Sequence, residues 1–381
     1  MGTLIETFGE MMKTKSFKYV KHFSGFPKAT DLELVEEELS PLKDEEFLAE
    51  AVYLSVDPYM RAFSAGFPIG ETMVGYQVAK IIETKNSKFP LGKYVVGGFG
   101  WRTHTISNGK GDSQSFLSQD PYLVEDCEDF SLSSILGVLG PSGFSAYHGF
   151  LEICTPEKGE TVVVSAAAGS VGSLVGQIAK IKGCTVIGIA GSVEKGNWLL
   201  NELGFDGFIN YKTEDIHEKL SKLAPRGVDC YFDNVGGNIS SIVLRHMNDS
   251  GRISVCGLIS EYNEEEKKGN HFIEIQSNLT LSTFKFTKIL IVNPIICILK
   301  RKPYTCLIAK EFYINKTTHL IYGFLCEKWY GRTDGRDQLI QWLKEGRIKY
   351  QETKTKGFDK MFAAFVDILN GRNCGKAIVE V

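Results

Sequence analysis

The pattern of apolar and polar positions divides the chain near residue 160. Upstream, residues 15–83 predict short strands and turns, and strand-like segments lie at 46–56, 77–83 and 93–96. Downstream, short apolar and β-branched runs alternate with segments of helical spacing. The predicted strands there are 161–165, 185–190, 207–210, 228–233 and 252–256, with helices between them that include 214–223 and 239–247. This alternation predicts an α/β fold in which helices cover both faces of a parallel sheet.

Two other segments complete the pattern. Residues 132–151 have helical spacing that is broken by the run Gly140-Pro141-Ser142-Gly143. The C-terminus predicts helices near 338–345 and 360–369, followed by a strand at 376–380.

A glycine-containing turn, residues 166–172, joins the strand 161–165 to a segment of helical spacing. Strand, glycine turn and helix is the context in which such a turn binds a dinucleotide. Gly169 lets the backbone approach a pyrophosphate, and Gly172 lets the helix pack closely on the strand. The N–H groups at the helix N-terminus suit phosphate oxygens. Because Ala167 replaces the first glycine of the fingerprint, a tight turn without a ligand remains the alternative.

The end of the strand 185–190 indicates which dinucleotide would bind. NAD enzymes place a carboxylate there to accept from the ribose hydroxyl. This chain has Gly191 and Ser192, with Lys195 close by, and Glu194 lies in the following turn. A small residue, a hydroxyl and an ammonium suit a 2′-phosphate, so the sequence favours NADP over NAD. The alternative for Lys195 is a solvated surface lysine.

The bulk properties exclude several classes of protein. The chain has 381 residues, 43% apolar and 23% charged, which suggests two globular domains. A net charge of −3 gives no basic footprint for nucleic acid. Nine cysteines without a C-x-x-C pair argue against a disulfide framework or a zinc finger, and no His/Cys cluster suggests a metal.

The N-terminus lacks an apolar core flanked by positive charge, so we expect no signal peptide and a cytoplasmic protein. The apolar run 289–299 is too short to span a bilayer, so we expect no membrane partner.

Glycine-rich segments follow two more of the predicted strands, at 233–237 and 256–262. Because ligands bind at the carboxyl ends of the strands in such a sheet, ligand contact is favoured over a role as plain turns.

Six segments together resemble the prostaglandin reductase and NADP-dependent alkenal double-bond reductase branch of the zinc-independent medium-chain dehydrogenase/reductase superfamily. These segments are Asp57-Pro58-Tyr59-Met60-Arg61, Leu151-Glu152-Ile153-Cys154, 166–172, Asn210-Tyr211-Lys212-Thr213, 231–237 and Gly375-Lys376-Ala377. The resemblance implies a GroES-like partial β-barrel from residues 11–138 and 344–381. It also implies a Rossmann doubly wound parallel sheet from residues 139–343, with residues 1–10 as an N-terminal extension.

The same resemblance implies NADPH-dependent reduction of the C=C bond of α,β-unsaturated aldehydes and ketones by hydride transfer to the β-carbon. The substrates would be small hydrophobic enones, including oxidised prostaglandins, leukotriene-type compounds and lipid-peroxidation enals. The resemblance further implies a homodimer. It implies no metal, because Gly75-Tyr76-Gln77 stands where zinc relatives carry Gly-His-Glu.

The resemblance also assigns site residues. The pyrophosphate would be held by Ala168, Gly169, Ser170, Val171 and Gly172, and the 2′-phosphate end by Ser192, Lys195 and Tyr211. The rest of the cofactor would be lined by Asn234, Cys256, Gly257, Leu258, Ile259, Ser260, Tyr262 and Asn373. Tyr262 and Tyr59 would face the substrate.

Tyr262 is the candidate for the chemistry. Reduction of an enone requires stabilisation of the negative charge that develops on the carbonyl oxygen. A tyrosine with its ordinary pKa near 10 is a neutral donor at pH 7, so Tyr262 can hydrogen-bond this oxygen or relay a proton. The alternatives are a half-buried Tyr262 that satisfies a loop carbonyl and a Tyr59 that only packs.

Two departures from the family leave other functions open. The run Gly140-Pro141-Ser142-Gly143 differs beside the expected nicotinamide contact. Residues 285–324 match nothing in the family, whose strand resembling 281–284 would lead directly into a segment like 325–329. The block is a true insertion or translated intron sequence, and its composition favours the second. The alternatives to an enone reductase are therefore an NADPH-binding quinone reductase-like or crystallin-like protein, or a product inactivated by the block.

Overall fold

The computed structural model describes residues 12–111, 117–124, 129–264, 308–314, 317–324, 326–329 and 331–381. The strands are β1 Lys13–Tyr19, β2 Leu32–Glu38, β3 Phe47–Val56, β4 Gln77–Thr84, β5 Tyr94–Gly97, β6 His104–Ser107, β7 Tyr122–Leu123, β8 Thr161–Ser165, β9 Thr185–Ala190, β10 Gly207–Asn210, β11 Val228–Asp233, β12 Met247–Val255, β13 Ile308–Ile314, β14 Thr317–Gly323, β15 Glu352–Lys356 and β16 Lys376–Glu380. The α-helices are α1 Tyr59–Ala62, α2 Pro141–Leu151, α3 Gly172–Ile181, α4 Val193–Asn201, α5 Ile216–Leu223, α6 Gly237–Leu244, α7 Asp334–Lys344 and α8 Met361–Leu369.

The first domain, here called the β domain, combines both ends of the chain. Its main sheet has the strand order β15-β16-β3-β4-β5-β7, β6 pairs with β3, and β1 and β2 form a separate two-stranded sheet. The last strand pairs antiparallel with β3, so that Ala377 faces Val56. Trp101 and Met60 are fully buried in the core beneath α8. The C-terminal strand is thus part of the main sheet of this domain.

The second domain, here called the Rossmann domain, has the sheet order β10-β9-β8-β11-β12-β14-β13. Every residue of the central strand Thr161–Ser165 is buried. A strand covered on both faces must be apolar at consecutive positions, which is why Val162, Val163 and Val164 lack an alternating pattern. The strands β8, β9, β10 and β11 have the bounds that the sequence predicted.

The helix predicted over 132–151 is two elements. A 3₁₀ turn occupies Leu132–Leu136, and α2 begins at Pro141, which is its first helical residue. Proline suits this position because its missing N–H would have no intrahelical partner there. Gly140 precedes it because a Cβ at that position would lie 1.9 Å from the Ile135 carbonyl oxygen. The break therefore comes from close backbone packing, and it places the start of α2 beside the glycine turn.

The described part of the unmatched block 285–324 contains two strands and Phe324. Residues Thr317–Gly323 form β14, which pairs in parallel with β12, and Ile308–Ile314 form β13, antiparallel to β14. Phe324 is buried against Trp329, with 5.1 Å between the ring centroids. This part of the block belongs to the sheet because the edge of β12 supplies its backbone partners, which no local pattern reveals. The segments 281–284 and 285–307 lie outside the described residues.

Two deletions test the place of β14. Joining Phe284 to Ile308 retains β13 and β14, whereas joining Phe284 to Leu325 removes both strands and Phe324. We expect the larger deletion to lower the free energy of unfolding by at least about 3–5 kcal/mol relative to the smaller one, since loss of a buried phenylalanine alone costs that much. Denaturant unfolding followed by circular dichroism measures the difference. Equal stability of the two deletions would contradict the assignment of β14 to the sheet.

Candidate active site

A cleft of about 670 Å³ lies between the β domain and the carboxyl ends of the Rossmann strands. This is the edge at which open parallel sheets bind their ligands. Among the predicted site residues, those that line the cleft are Tyr59, Ala168, Gly169, Ser170, Val171, Gly172, Lys195, Tyr211, Asn234, Cys256, Gly257, Ile259, Ser260, Tyr262 and Asn373. Ser192 and Leu258 do not line it.

The two glycines of the turn lie close to the backbone of Ala166. A Cβ at Gly172 would lie 2.5 Å from the Ala166 carbonyl oxygen, and the Gly169 N–H donates to that oxygen over 2.9 Å. Ala167, which replaces the first glycine of the fingerprint, faces Gly188, where a Cβ would approach it to 2.9 Å. Because Gly188 has no side chain, the Ala167 methyl group fits there, and the turn keeps the tight geometry that lets a phosphate approach the backbone. The turn therefore fits a dinucleotide pyrophosphate.

One end of the cleft is basic. Lys195 lies on α4 and its ammonium donates to the Gly371 carbonyl oxygen over 2.7 Å. Burial lowers the pKa of Lys195, and the charge of neighbouring Lys212 acts in the same direction. Tyr211 stands beside Gly191, where a Cβ would come within 2.9 Å of its ring. Two ammonium groups and no carboxylate at the end of β9 fit a 2′-phosphate better than an unmodified ribose.

Ser192 caps the helix that carries Lys195. Its hydroxyl accepts the Lys195 N–H over 3.3 Å, which makes it the N-cap of α4. Ser192 therefore fixes the start of the helix that carries Lys195. Lys212 does not line the cleft, but its ammonium lies 6.0 Å from the centre of the Tyr211 ring. It belongs to the motif 210–213 and was not among the predicted site residues.

Asp233 organises the turn after β11. Its buried carboxylate accepts hydrogen bonds from the hydroxyls of Ser165, Tyr231 and Ser240. It also accepts from the backbone N–H groups that follow it in the turn. Asn234 is then held by its side-chain amide, which donates to the Ser165 carbonyl oxygen over 2.7 Å. The motif 231–237 is thus a self-contained network that presents Asn234 to the cleft.

Tyr262 is fixed by its own loop. The Leu258 N–H donates to the Tyr262 hydroxyl oxygen over 3.1 Å. Burial raises the pKa of this phenol well above its ordinary value. Because the hydroxyl oxygen accepts from Leu258, its own proton is not used in this hydrogen bond. The Leu258 side chain packs in the apolar core, so this residue acts through its backbone and not as part of the cleft wall.

Tyr59 lines the cleft from the β domain, opposite the Rossmann strands. It is the first residue of α1, and its ring lies 6.4 Å from that of Phe63. The same short helix connects to the loop of Tyr262, because the Arg61 guanidinium donates to the Asn263 side-chain oxygen over 3.0 Å. The two tyrosines therefore belong to segments that contact each other across the domain boundary.

The C-terminal segment closes the cleft beside the glycine turn. The Gly375 N–H donates to the Ala168 carbonyl oxygen over 2.8 Å, and the Asn373 amide donates to the Gly375 carbonyl oxygen over 2.8 Å. Lys376 and Asp57 also line the cleft and form an ion pair of 2.6 Å. The motifs 57–61 and 375–377 contain these two residues, but neither charge was among the predicted site residues. The signal was available, because an isolated lysine within a buried strand needs a partner.

The divergent run after Gly140 also reaches the cleft. Pro141 and Ser142 line it, and the Ser170 hydroxyl donates to the Ser142 hydroxyl oxygen over 2.7 Å. The start of α2 is therefore joined to the glycine turn through a pair of serines.

Within the described ranges, no group of three or more His, Cys, Asp or Glu side chains is placed to hold a metal ion. In the same part of the chain, no helix combines the length and apolar character needed to cross a membrane.

Comparisons with known proteins identify the family of this chain. Residues 15–123 match the family described as the N-terminal domain of oxidoreductase, and residues 170–290 match the one described as zinc-binding dehydrogenase. Prostaglandin reductase 1 of Bos taurus is 44% identical over 373 residues, which cover 97% of this chain and 100% of the relative. The 2-alkenal reductase (NADP(+)-dependent) of Nicotiana tabacum is 35% identical, with 98% of each chain covered.

Solved structures give the same assignment. CurA from Vibrio vulnificus in complex with NADPH is 32% identical with a TM-score of 0.77, covering 96% of this chain and 99% of that one. The identity to prostaglandin and alkenal reductases extends over almost the whole chain, and it includes both domains that form the cleft. The chain therefore belongs to the prostaglandin reductase and NADP-dependent alkenal double-bond reductase branch of the medium-chain dehydrogenase/reductase superfamily.

Proposed function

We propose that this protein reduces the C=C bond of α,β-unsaturated aldehydes and ketones with NADPH, by hydride transfer to the β-carbon. As a member of its branch, the chain is an NADP-dependent oxidoreductase that acts on CH–CH groups. The observation that carries the proposal is the Tyr262 hydroxyl, which is held by Leu258 at the cleft and keeps a proton to donate.

NADPH supplies the hydride, and this chain's residues hold the reactants and stabilise charge. The glycine turn would hold the pyrophosphate, with Lys195 and Lys212 at the 2′-phosphate and Asn373 beside the nicotinamide end. These positions orient the cofactor along the carboxyl ends of β8, β9 and β11. Orientation of two reactants in one cleft is itself a large part of the rate enhancement.

Tyr262 would act on the substrate oxygen. As negative charge develops there, a neutral donor already fixed in a largely apolar cleft stabilises it without reorganisation. The raised pKa keeps the phenol protonated at any pH near neutrality. Tyr59, on the opposite wall, would limit the positions that the enone can adopt.

The proposal also covers the substrate class, the oligomeric state and the cellular location of the protein. The substrates would be prostaglandin-type, leukotriene-type and lipid-peroxidation enones, because the cleft is large and mostly apolar. Membership of this branch also supports a homodimer located in the cytoplasm. NADPH consumption with an alkenal, compared with a quinone, separates the proposed activity from that of a quinone reductase, and no consumption with either would contradict it.

The role of Lys195 predicts cofactor preference. Lys195→Ala should raise KM for NADPH about tenfold to hundredfold and leave KM for NADH nearly unchanged, since only NADPH loses a charge-assisted contact. Steady-state kinetics with both cofactors measure this, and Lys182→Ala at the exposed end of α3 serves as the matched control. Equal effects on both cofactors would exclude Lys195 from the 2′-phosphate site.

The role of Tyr262 predicts a loss in the chemical step. Tyr262→Phe should lower kcat by about 100-fold, as removal of an oxyanion donor does, while the Kd for NADPH is unchanged. Because its pKa is raised, the wild-type rate should show no loss from phenol ionisation up to about pH 10. Tyr94→Phe, on β5 away from the cleft, is the control. A Tyr262→Phe variant with the wild-type kcat would remove Tyr262 from the mechanism.

Metal removal should leave the activity intact. Hydride transfer and charge stabilisation are assigned here to NADPH and Tyr262, so prolonged treatment with a chelator is expected not to change the rate. A loss of rate that added zinc restores would show that a metal takes part.

A further inference from the structure

Lys376 is a buried lysine at the cleft, with only 3% of its surface exposed. Its ammonium donates three hydrogen bonds: to the Ser55 hydroxyl oxygen over 2.7 Å, the Val56 carbonyl oxygen over 3.1 Å and an Asp57 carboxylate oxygen over 2.6 Å. An ammonium has three hydrogens to donate. Lys376 therefore has none left for a substrate, and its role must act through the groups that it holds.

Asp57 depends on this ammonium. One carboxylate oxygen accepts from Lys376, and the other accepts from the Ser55 hydroxyl. The Asp57 side chain is only 20% exposed. Removing one partner of a largely buried pair leaves an uncompensated charge, which is far more costly than replacing both.

The pair lies between two parts of the site. On one side, Asp57 leads into the helix of Tyr59, and its carbonyl oxygen accepts the Met60 N–H over 3.2 Å. On the other side, Gly375 donates to the carbonyl oxygen of Ala168 in the glycine turn. A chain of short contacts thus runs from the Tyr59 wall through Asp57, Lys376 and Gly375 to the cofactor turn.

We propose that the Lys376–Asp57 ion pair is a positioning element that sets the Tyr59 segment, residues 57–62, relative to the glycine turn. This inference rests on the proposed function, because it assigns the pair to the alignment of the enone with the cofactor. The alignment of the enone with the cofactor affects the rate strongly, since a displacement of about 1 Å can lower the rate about a hundredfold. Because all three ammonium hydrogens of Lys376 are donated within the protein, its effect should fall on kcat and not on cofactor affinity.

The test is a set of substitutions at the pair. Lys376→Met should lower kcat for enal reduction at least about tenfold, with the Kd for NADPH within about twofold of wild type. Lys376→Arg, which keeps a cation that can donate to Asp57, should recover part of the loss. The double variant Asp57→Asn with Lys376→Met should exceed Lys376→Met alone in thermal stability, because it removes the lone charge. Lys354→Met is the matched control, since Lys354 pairs with Glu352 at 3.2 Å outside the cleft.

A second measurement keeps this inference separate from the proposed function. Amide hydrogen exchange of residues 57–62 should rise in Lys376→Met, with exchange in β8 and β9 unchanged, whether or not the wild type reduces an enal. A wild type inactive on every enone tested would contradict the proposed function alone. Wild-type exchange in residues 57–62, a wild-type kcat in Lys376→Met, or a loss of NADPH affinity equal to the loss in kcat would each overturn the positioning role.

Discussion

The site depends on the contact between the C-terminal segment and the glycine turn. Gly375 has a φ of +67°, and a Cβ there would lie 1.9 Å from the Gln351 carbonyl oxygen. Only glycine fits, and its N–H bonds to Ala168. This backbone contact joins the segment before the last strand of the β domain to the glycine turn of the Rossmann domain. Asn373 and Lys376, on either side of Gly375, line the same cleft as the glycine turn.

Hydrogen bonds from residues beside the cleft hold the side chains that line it. Asp233 organises the turn that carries Asn234, Ser192 caps the helix that carries Lys195, and Leu258 holds Tyr262 through its N–H. In each case a buried or backbone group that does not face the cleft orients one that does. Since each unmade bond in such a place costs about 1–3 kcal/mol, these networks restrict the site to a single arrangement.

In the block 285–324, the local sequence pattern did not predict the strands that the structure contains. Its described part, β13 and β14, extends the Rossmann sheet at the edge of β12. Pairing between distant strands depends on which strand of the sheet has a free edge. A segment whose sequence lacks a helical or strand period does not indicate which edge it will join. The same limit applies to Lys376 and Asp57, whose motifs were visible but whose contact spans 319 positions of sequence.

The sequence by itself determined the strands β8, β9, β10 and β11, the glycine turn and the family, because these follow from local apolar runs, local turn chemistry and short motifs. Most of the predicted site residues, including Lys195 and Tyr262, line the cleft, because strand ends in a parallel sheet meet at one edge. Only the tertiary structure decided that Ser192 is a cap, that Leu258 acts through its backbone, and that Lys376 pairs with Asp57. Those roles are set by which groups are buried together, and burial is a property of the packed chain and not of any one segment.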